Sequence, residues 1–322
     1  MESCVVSCIV CNIGRPSCFQ FVCAYGPVKR DVLHDGAGLM SMRLASRPMT
    51  SPISFLSDFG HDDEFVGVVH GVLAKLAPES RVIDVTHGVT RGNVRSGALA
   101  LTRAVQYLPE GVCLAIVDPG VGSERKAIAA ATPWGYFVGP DNGLLSPAVA
   151  MVGGSSEIVS IENPEAMIPS PGETFHGRDL FAPAAALLAA GDTALGDLGP
   201  FISGNDVTPL LLPLTDTQGS AVSGEAWWVD GYGNVETNVS PEDLILVGLG
   251  PNDVVTVNIG SSIHNVTWVT SYADVEVGEL LLHVDSAGLM AFAVREGRAD
   301  EDLNLTEGVA VTLAGSKSPR VE

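Results

Sequence analysis

Basic side chains are scarce in this 322-residue chain: 17 Lys and Arg stand against 38 Asp and Glu, a formal net charge of −21. A surface of that sign repels phosphate backbones, which argues against a nucleic-acid partner. Long apolar runs are missing too. The stretch Ala182 to Ala190 falls far short of the roughly 20 residues that cross a bilayer, so a soluble globular protein without a membrane partner is expected. Cysteine is nearly absent from the body: five of the six (Cys4, Cys8, Cys11, Cys18, Cys23) lie in the first 23 residues, and only Cys113 lies beyond. One cysteine builds no disulfide framework, which suits a reducing cytoplasm. Cofactor signatures are lacking as well. Gly120 to Gly122 has neither the spacing of a dinucleotide fingerprint nor the Lys-Ser/Thr pair of a P-loop, and there is no Gly-x-Ser-x-Gly elbow or His-Glu-x-x-His.

The charge is unevenly spread. Residues 1–50 carry 5 basic and 3 acidic side chains (+2), residues 51–200 carry 8 and 17 (−9), and residues 201–322 carry 4 and 18 (−14). Such acidity favours a cationic small molecule over a polyanion, though it also serves solubility. The first 50 residues do not match the rest. The Cys8-x-x-Cys11 pair is followed by no His or second pair at a zinc-ligand interval. Glu2 precedes any basic residue and no clean apolar stretch leads to a small-residue cleavage site, against a signal peptide. With Met40, Met42 and Met49 just before the first regular pattern, residues 1–50 read as a disordered or artefactually long leader.

From Pro52 the pattern becomes regular. Ile53 to Leu56 reads as a strand. Asp62 to Leu76 carries Phe65, Val68, Val69, Val72, Leu73 and Leu76 at a helical period. Val82 to Val85 (strand), Asn93 to Leu108 (helix) and Val112 to Val117 (strand) continue the alternation, followed by strands at Ala127 to Ala131 and Tyr136 to Val138 and helices near Leu144 to Met151 and Asp179 to Ala190. Strands alternating with helices imply right-handed crossovers and a mostly parallel, Rossmann-like sheet. After Gly191 the helical signal disappears, and short strand candidates follow at Glu225 to Val229, Val254 to Ile259, Val266 to Thr270, Leu280 to Val284, Leu289 to Val294 and Val309 to Leu313. The expected architecture is an α/β domain over 51–200, a linker over 201–222 and a small all-β, barrel-like C-terminal domain over 223–322.

Ligands of open α/β sheets bind beyond the carboxyl ends of the strands. Polar clusters stand at each such end: Ser57 to Gly60, Asp84 to His87, Asp118 to Arg125 and Gly139 to Gly143, with a fifth, Thr174 to Asp179, opening the last helix. Turn chemistry accounts for any one of them; five at one rim point to an active site. Asp58, His61, Asp62 and Asp63 raise the question of a metal, but Asp62, Asp63 and Glu64 stand where a helix N-terminus favours carboxylates, and capping is the better reading.

These clusters, in this order, resemble the S-adenosyl-L-methionine (SAM) hydrolases that form adenosine, also called SAM hydroxide adenosyltransferases, a family related to the SAM-dependent fluorinase and chlorinase. The segments are Leu56 to Gly60, Ile83 to His87, Val117 to Arg125, Gly139 to Leu145, Thr174 to Asp179, Asp230 to Asn234 with Thr237-Asn238, and the Ser286-Ala287-Gly288 turn. The resemblance runs from about residue 52 to the C-terminus. It implies that Asp118, Arg125 and His176 are catalytic and hold the attacking water, that Asp58 binds the ribose hydroxyls, that Asn234 reads the adenine edge with Tyr232 against the base, and that Asp230 and Ser286 hold the methionine end. It further implies SAM as substrate, no cofactor and no metal, and a homotrimer with active sites between the α/β domain of one subunit and the β domain of its neighbour. Against the fluorinase, this chain has Asp118 for Tyr, Val121 for Thr and His176-Gly177 for Tyr-Ser, and only ten residues separate Arg125 from Tyr136, where halogenases carry an inserted loop. These differences favour water over halide. Ala287, where halogenases have Arg, leaves the methionine carboxylate contacts open. The alternatives are a SAM-dependent halogenase and a non-catalytic SAM or adenosine binding protein; the latter has no need of Asp118, Arg125 and His176 together.

Overall fold

The computed structural model describes residues 50–315, and the cysteine-rich leader and its Cys8-x-x-Cys11 pair lie outside the described residues. The first sheet is built from β1 (Ile53–Ser57), β2 (Val82–Thr86), β3 (Gly111–Ile116), β4 (Ala127–Thr132), β5 (Gly135–Pro140) and β6 (Glu157–Ser160). Its helices are α1 (Phe65–Leu76), α2 (Val94–Val105), α3 (Ser146–Met151) and α4 (Ala182–Ala190), the last entered through a π turn over Gly177–Phe181. Strands β1 and β3 are buried along their whole length, which is why β3 reads as an unbroken apolar run rather than an alternating one. Helix α2 is capped by Asn93, whose side chain accepts from the Ser96 amide at 3.0 Å. Helix α4, Ala-rich and buried on nearly every side, stops at Gly191, which sits at φ 72° in the left-handed conformation that glycine adopts at no steric cost.

The strand order is β2-β1-β3-β5-β4-β6. Pairs β1–β2, β1–β3 and β3–β5 are parallel, whereas β4–β5 and β4–β6 are antiparallel. The sheet is therefore mixed rather than mostly parallel. Only Pro133 and Trp134 join β4 to β5, and a parallel crossover needs a dozen residues or more, so this pair has to be a hairpin. Thr132 Oγ1 closes it by accepting from the amides of Trp134 and Gly135, both at 3.2 Å. Gly135 has φ 143°, and a Cβ there would lie 2.0 Å from the Gly111 carbonyl oxygen, so no side chain fits between β5 and β3.

Two further expectations are corrected. Helix α1 begins at Phe65, not Asp62, and its N-cap Glu64 makes no side-chain cap hydrogen bond; Asp62, Asp63 and Glu64 are exposed and do not cap. Helices also persist after Gly191, as the short α5 (Pro241–Leu246) and α6 (Ala299–Leu303). The first is too brief for a periodic signal, yet Ser240 and Asp243 form a capping box around its start, a pattern readable in the sequence.

The second sheet comprises β7 (Asp216–Gln218), β8 (Ala221–Val229), β9 (Val235–Thr237), β10 (Val254–Ile259), β11 (Ser262–Trp268), β12 (Leu280–Val284), β13 (Met290–Val294) and β14 (Ala310–Gly315). Order β14-β10-β11-β12-β13-β9-β8 closes through a β14–β8 pairing into a seven-strand barrel, with β7 added alongside β8. Closure removes the exposed edges a sheet of short strands would otherwise carry. Val222, Val257, Leu282, Phe292 and Leu313 fill its interior. Strand β7 and the start of β8 occupy residues read as linker. Helix α2 docks on the barrel: Arg95 pairs with Glu225, Arg103 Nη1 donates to Glu236 at 3.4 Å, and the Arg103 guanidinium lies 4.4 Å from the centre of the Trp228 ring.

Candidate active site

Three of the expected residues meet at the carboxyl end of β3. The chain turns sharply after Asp118, with the Val121 amide donating to the Asp118 carbonyl at 3.2 Å and Ser123 Oγ donating to the Gly120 carbonyl at 2.6 Å. This turn folds Arg125 back onto Asp118. Arg125 Nε donates to Asp118 Oδ1 at 2.8 Å, and Nη2 donates to Oδ2, a two-pronged pair whose side chains are 10% and 6% exposed. The same Nη2 donates to His176 Nδ1 at 2.8 Å, and the guanidinium stacks 5.1 Å from the Phe181 ring. His176 enters from the residue before the π turn.

The proton positions follow from donor inventory. A guanidinium offers only donors, so His176 Nδ1 must be the acceptor and the neutral ring carries its proton on Nε2. Burial pushes the His176 imidazole below its usual range, and the Arg125 charge adds to this, against the opposing pull of Asp118. The imidazole is thus held neutral while the carboxylate is matched by the guanidinium.

The other clusters at the rim divide by role. Asp58 follows β1 and accepts from the Gly92 amide at 2.7 Å. Asn142 donates from Nδ2 to the Val117 carbonyl at 2.8 Å and accepts from the Leu144 amide at 3.2 Å, fixing the backbone just before Asp118. Asp141 accepts from the Thr208 amide at 2.7 Å. Both belong to scaffolding rather than chemistry. Arg178 pairs with Asp179 and Ser170 and lines, with Phe59, Phe65 and Phe175, an apolar hollow of about 580 Å³ that excludes Asp118.

In the barrel domain, Asp230, Tyr232 and Asn234 share one turn. Asp230 Oδ1 accepts from the amides of Tyr232 and Asn234 at 2.8 and 2.9 Å, and Oδ2 accepts from Asn234 Nδ2 at 2.8 Å. Asp230, Asn234 and Ser286 line a cavity of about 540 Å³; Tyr232, 81% exposed, faces an open hollow beside it with Tyr272. None of these cavities combines Asp118, Arg125 or His176 with the Asp230 set, so within one chain the structure assembles the expected residues as two separate groups.

Sequence reasoning missed Arg103, Trp228, Glu236 and Asp285, which also line the 540 Å³ cavity. Burial pushes the Glu236 carboxyl up to about 8, with Asp285 adding and Arg103 opposing. The available signal was a lone acidic residue inside the buried strand Val235-Glu236-Thr237, since buried carboxylates are rare without a partner. Helix periodicity marks nothing special at Arg103.

Family comparison agrees with the quoted motifs. The model of the SAM hydroxide adenosyltransferase N-terminal domain matches residues 53–199, and that of the C-terminal domain matches residues 224–312. The chain is similar to the (R)-S-adenosyl-L-methionine hydrolase of Salinispora tropica, 45% identical over 80% of this chain and 95% of the relative, and to that of Thermus thermophilus, 42% identical over 81% and 99%. A fluorinase of Actinoplanes is more distant, 26% identical over 81% of this chain and 96% of the relative. Among solved structures, an uncharacterized conserved protein from Thermotoga maritima superposes with a TM-score of 0.76 at 37% identity, covering 81% of this chain and 99% of that one.

Proposed function

Because the chain belongs to the SAM hydroxide adenosyltransferase family, we propose that it is an enzyme that hydrolyses SAM to adenosine and L-methionine, with Asp118, Arg125 and His176 acting on the water. The observation that carries this reading is the single guanidinium, Arg125, joined to both Asp118 and His176.

The C5′ carbon of SAM is activated by a sulfonium. When a water oxygen bonds to C5′, the C5′–S bond breaks, its electron pair stays on sulfur, and methionine departs as a neutral thioether that needs no protonation. The protein's task is to hold one water in line and take its proton as the new bond forms. Arg125 occupies one direction of each Asp118 oxygen, and the carboxylate keeps lone pairs to accept a water proton. His176, with Nδ1 committed to Arg125, presents Nε2–H and orients the water by donating to it. No step calls for a cofactor. Asp58 binds the ribose hydroxyls, Asn234 reads the adenine edge with Tyr232 against the base, and Asp230 and Ser286 hold the methionine end. The division of these residues into two groups supports a site that joins the Asp118 set of one subunit to the Asp230 set of the next, in the homotrimer that the family resemblance implies. A cytoplasmic location fits the near absence of cysteine from the folded body; among the described residues no helix is long and apolar enough to cross a membrane.

Halogenation is the weaker reading. A Cβ at Gly177 would lie 3.0 Å from Phe59 Cζ and 3.1 Å from Phe175 Cε2, so the fluorinase serine at this position would require one of the two rings to shift. The test is product identification from purified protein in H₂¹⁸O with EDTA, supplying the two sulfur epimers of SAM separately, with and without chloride or fluoride. Adenosine labelled at its 5′ oxygen is expected, from the R epimer if the name of the relatives carries over. Bound SAM without adenosine, or a halogenated deoxyadenosine, would overturn the reading.

A further inference from the structure

A second constellation stands apart from the Asp118 group. His70 projects from α1, Asp84 from the middle of the edge strand β2, and His87 from the turn after it. His70 Nε2 lies 2.8 Å from Asp84 Oδ1 and His87 Nε2 lies 3.1 Å from the same oxygen, and one ligand atom from each residue falls within 4.8 Å of the others. Two imidazoles and a carboxylate are a donor set suited to zinc and its first-row neighbours, with a remaining position for water.

Burial separates this cluster from an ordinary surface ion pair. His87 is 1% exposed, and although its Nε2 lies 3.1 Å from Asp84 Oδ1, it makes no well-formed hydrogen bond. An orphaned polar atom in the interior carries a desolvation cost that a native fold rarely leaves uncompensated. The ring cannot turn away to solve this. Its Nδ1 is 2.7 Å from Ser57 Oγ, and the rings of Phe55 and His61 pack against it in edge-to-face arrangements, with ring centres 4.6 and 5.4 Å off. Ser57 is thereby the outer partner that metal-bound histidines use to fix ring orientation: with Nε2 on a cation, Nδ1–H donates to Ser57 Oγ. Asp84, by contrast, is 46% exposed on its side chain, so the site opens to solvent on the side from which an ion would enter.

We propose that His70, Asp84 and His87 bind one divalent transition cation of the zinc class, which staples α1 to the end of β2. The site holds none of the residues assigned to the water or to SAM, and hydrolysis proceeds without it. Its position is structural: the His87 carbonyl accepts from the Gly60 amide at 2.8 Å, so the staple also braces the loop that follows β1.

The test uses the full chain, stripped with EDTA and titrated with CoCl₂ and then ZnCl₂, beside His70→Gln and Asp84→Asn. Cobalt reports its ligands: nitrogen and oxygen donors give visible d–d bands, whereas thiolates of the leader add strong near-ultraviolet charge transfer. Expected is about one cobalt per chain with visible bands free of thiolate character, displaced by zinc, together with a zinc-dependent rise in melting temperature. Both signals should fall at least about tenfold in affinity in either variant, the usual scale for losing a metal-site partner, while each variant without metal melts near the wild type. Cobalt bands of thiolate type only, or cobalt binding and a zinc shift that persist in both variants, would overturn the proposal.

Discussion

In Asp118→Asn, one of the two carboxylate oxygens that accept from Arg125 becomes an NH₂ that only donates, so whichever way the amide turns a single acceptor remains where there were two. Arg125 is left with its charge, 10% exposed, against the Phe181 ring and His176 Nδ1. Removing one partner of a buried ion pair typically costs about 3–5 kcal/mol; the retained His176 acceptor and the residual exposure place this case near the lower end, about 3 kcal/mol. For a body of this size that lowers the melting temperature by roughly 6–12 °C. Replacing both partners, as Asp118→Asn with Arg125→Met, removes the stranded charge, so the double variant should be more stable than the sum of the singles by about 2 kcal/mol. Turnover should fall by about 10²–10⁴ in Asp118→Asn, while SAM affinity, measured by calorimetry, should change much less if the carboxylate acts, as proposed, on the water rather than on bound substrate. Scanning calorimetry and single-turnover kinetics on the four proteins of the cycle measure both halves. A turnover within tenfold of the wild type, alongside the full stability loss, reduces the pair to a loop salt bridge. Equal losses in affinity and turnover refute the assignment in another way, by making Asp118 a residue of the scaffold.

Two further predictions rest on buried groups. Glu236, with its pKa raised from 4.5 to about 8, favours the native state while protonated; that contribution is complete below about pH 4.5 and is lost as pH rises through 8. Glu236→Gln should therefore unfold like the wild type in acid and become progressively more stable than it towards pH 9, by at most about 5 kcal/mol; urea unfolding at four pH values checks this, and a constant difference across them contradicts it. Gly177→Ser should not create a halogenase. The new Cβ must displace Phe59 or Phe175, costing about 1–3 kcal/mol and lowering SAM hydrolysis without any halogenated product in 1 M chloride; unchanged stability would show that the rings yield freely.

Much was legible in the chain because it is local. Strand β3 is an uninterrupted apolar segment, α2 announces itself by Asn93 and its apolar spacing, and the capping box of Ser240 and Asp243 was there to be read. The order of polar clusters at the strand ends identified the family, and with it Asp118, Arg125 and His176, although they are 7 and 51 residues apart. The parallel reading of the first sheet failed at β4 and β5 for a reason the sequence also contained, since two residues between strands permit only a hairpin.

Composition and spacing determined the acidic body and the α/β-then-β order, because each depends on residue type and on neighbours within a few positions, while the resemblance carried by the polar clusters pointed to the candidate reactive side chains. Only the tertiary structure decided that one guanidinium serves both Asp118 and His176 and thereby sets the histidine tautomer, that the barrel closes through β8 and β14, and that His70 of α1 meets Asp84 and His87. It also decided that Glu236 is sealed beside Asp285 under Arg103. The physical reason is common to all four: these are contacts between segments distant along the chain, set by packing and closure, and no local pattern encodes which buried polar group will face which.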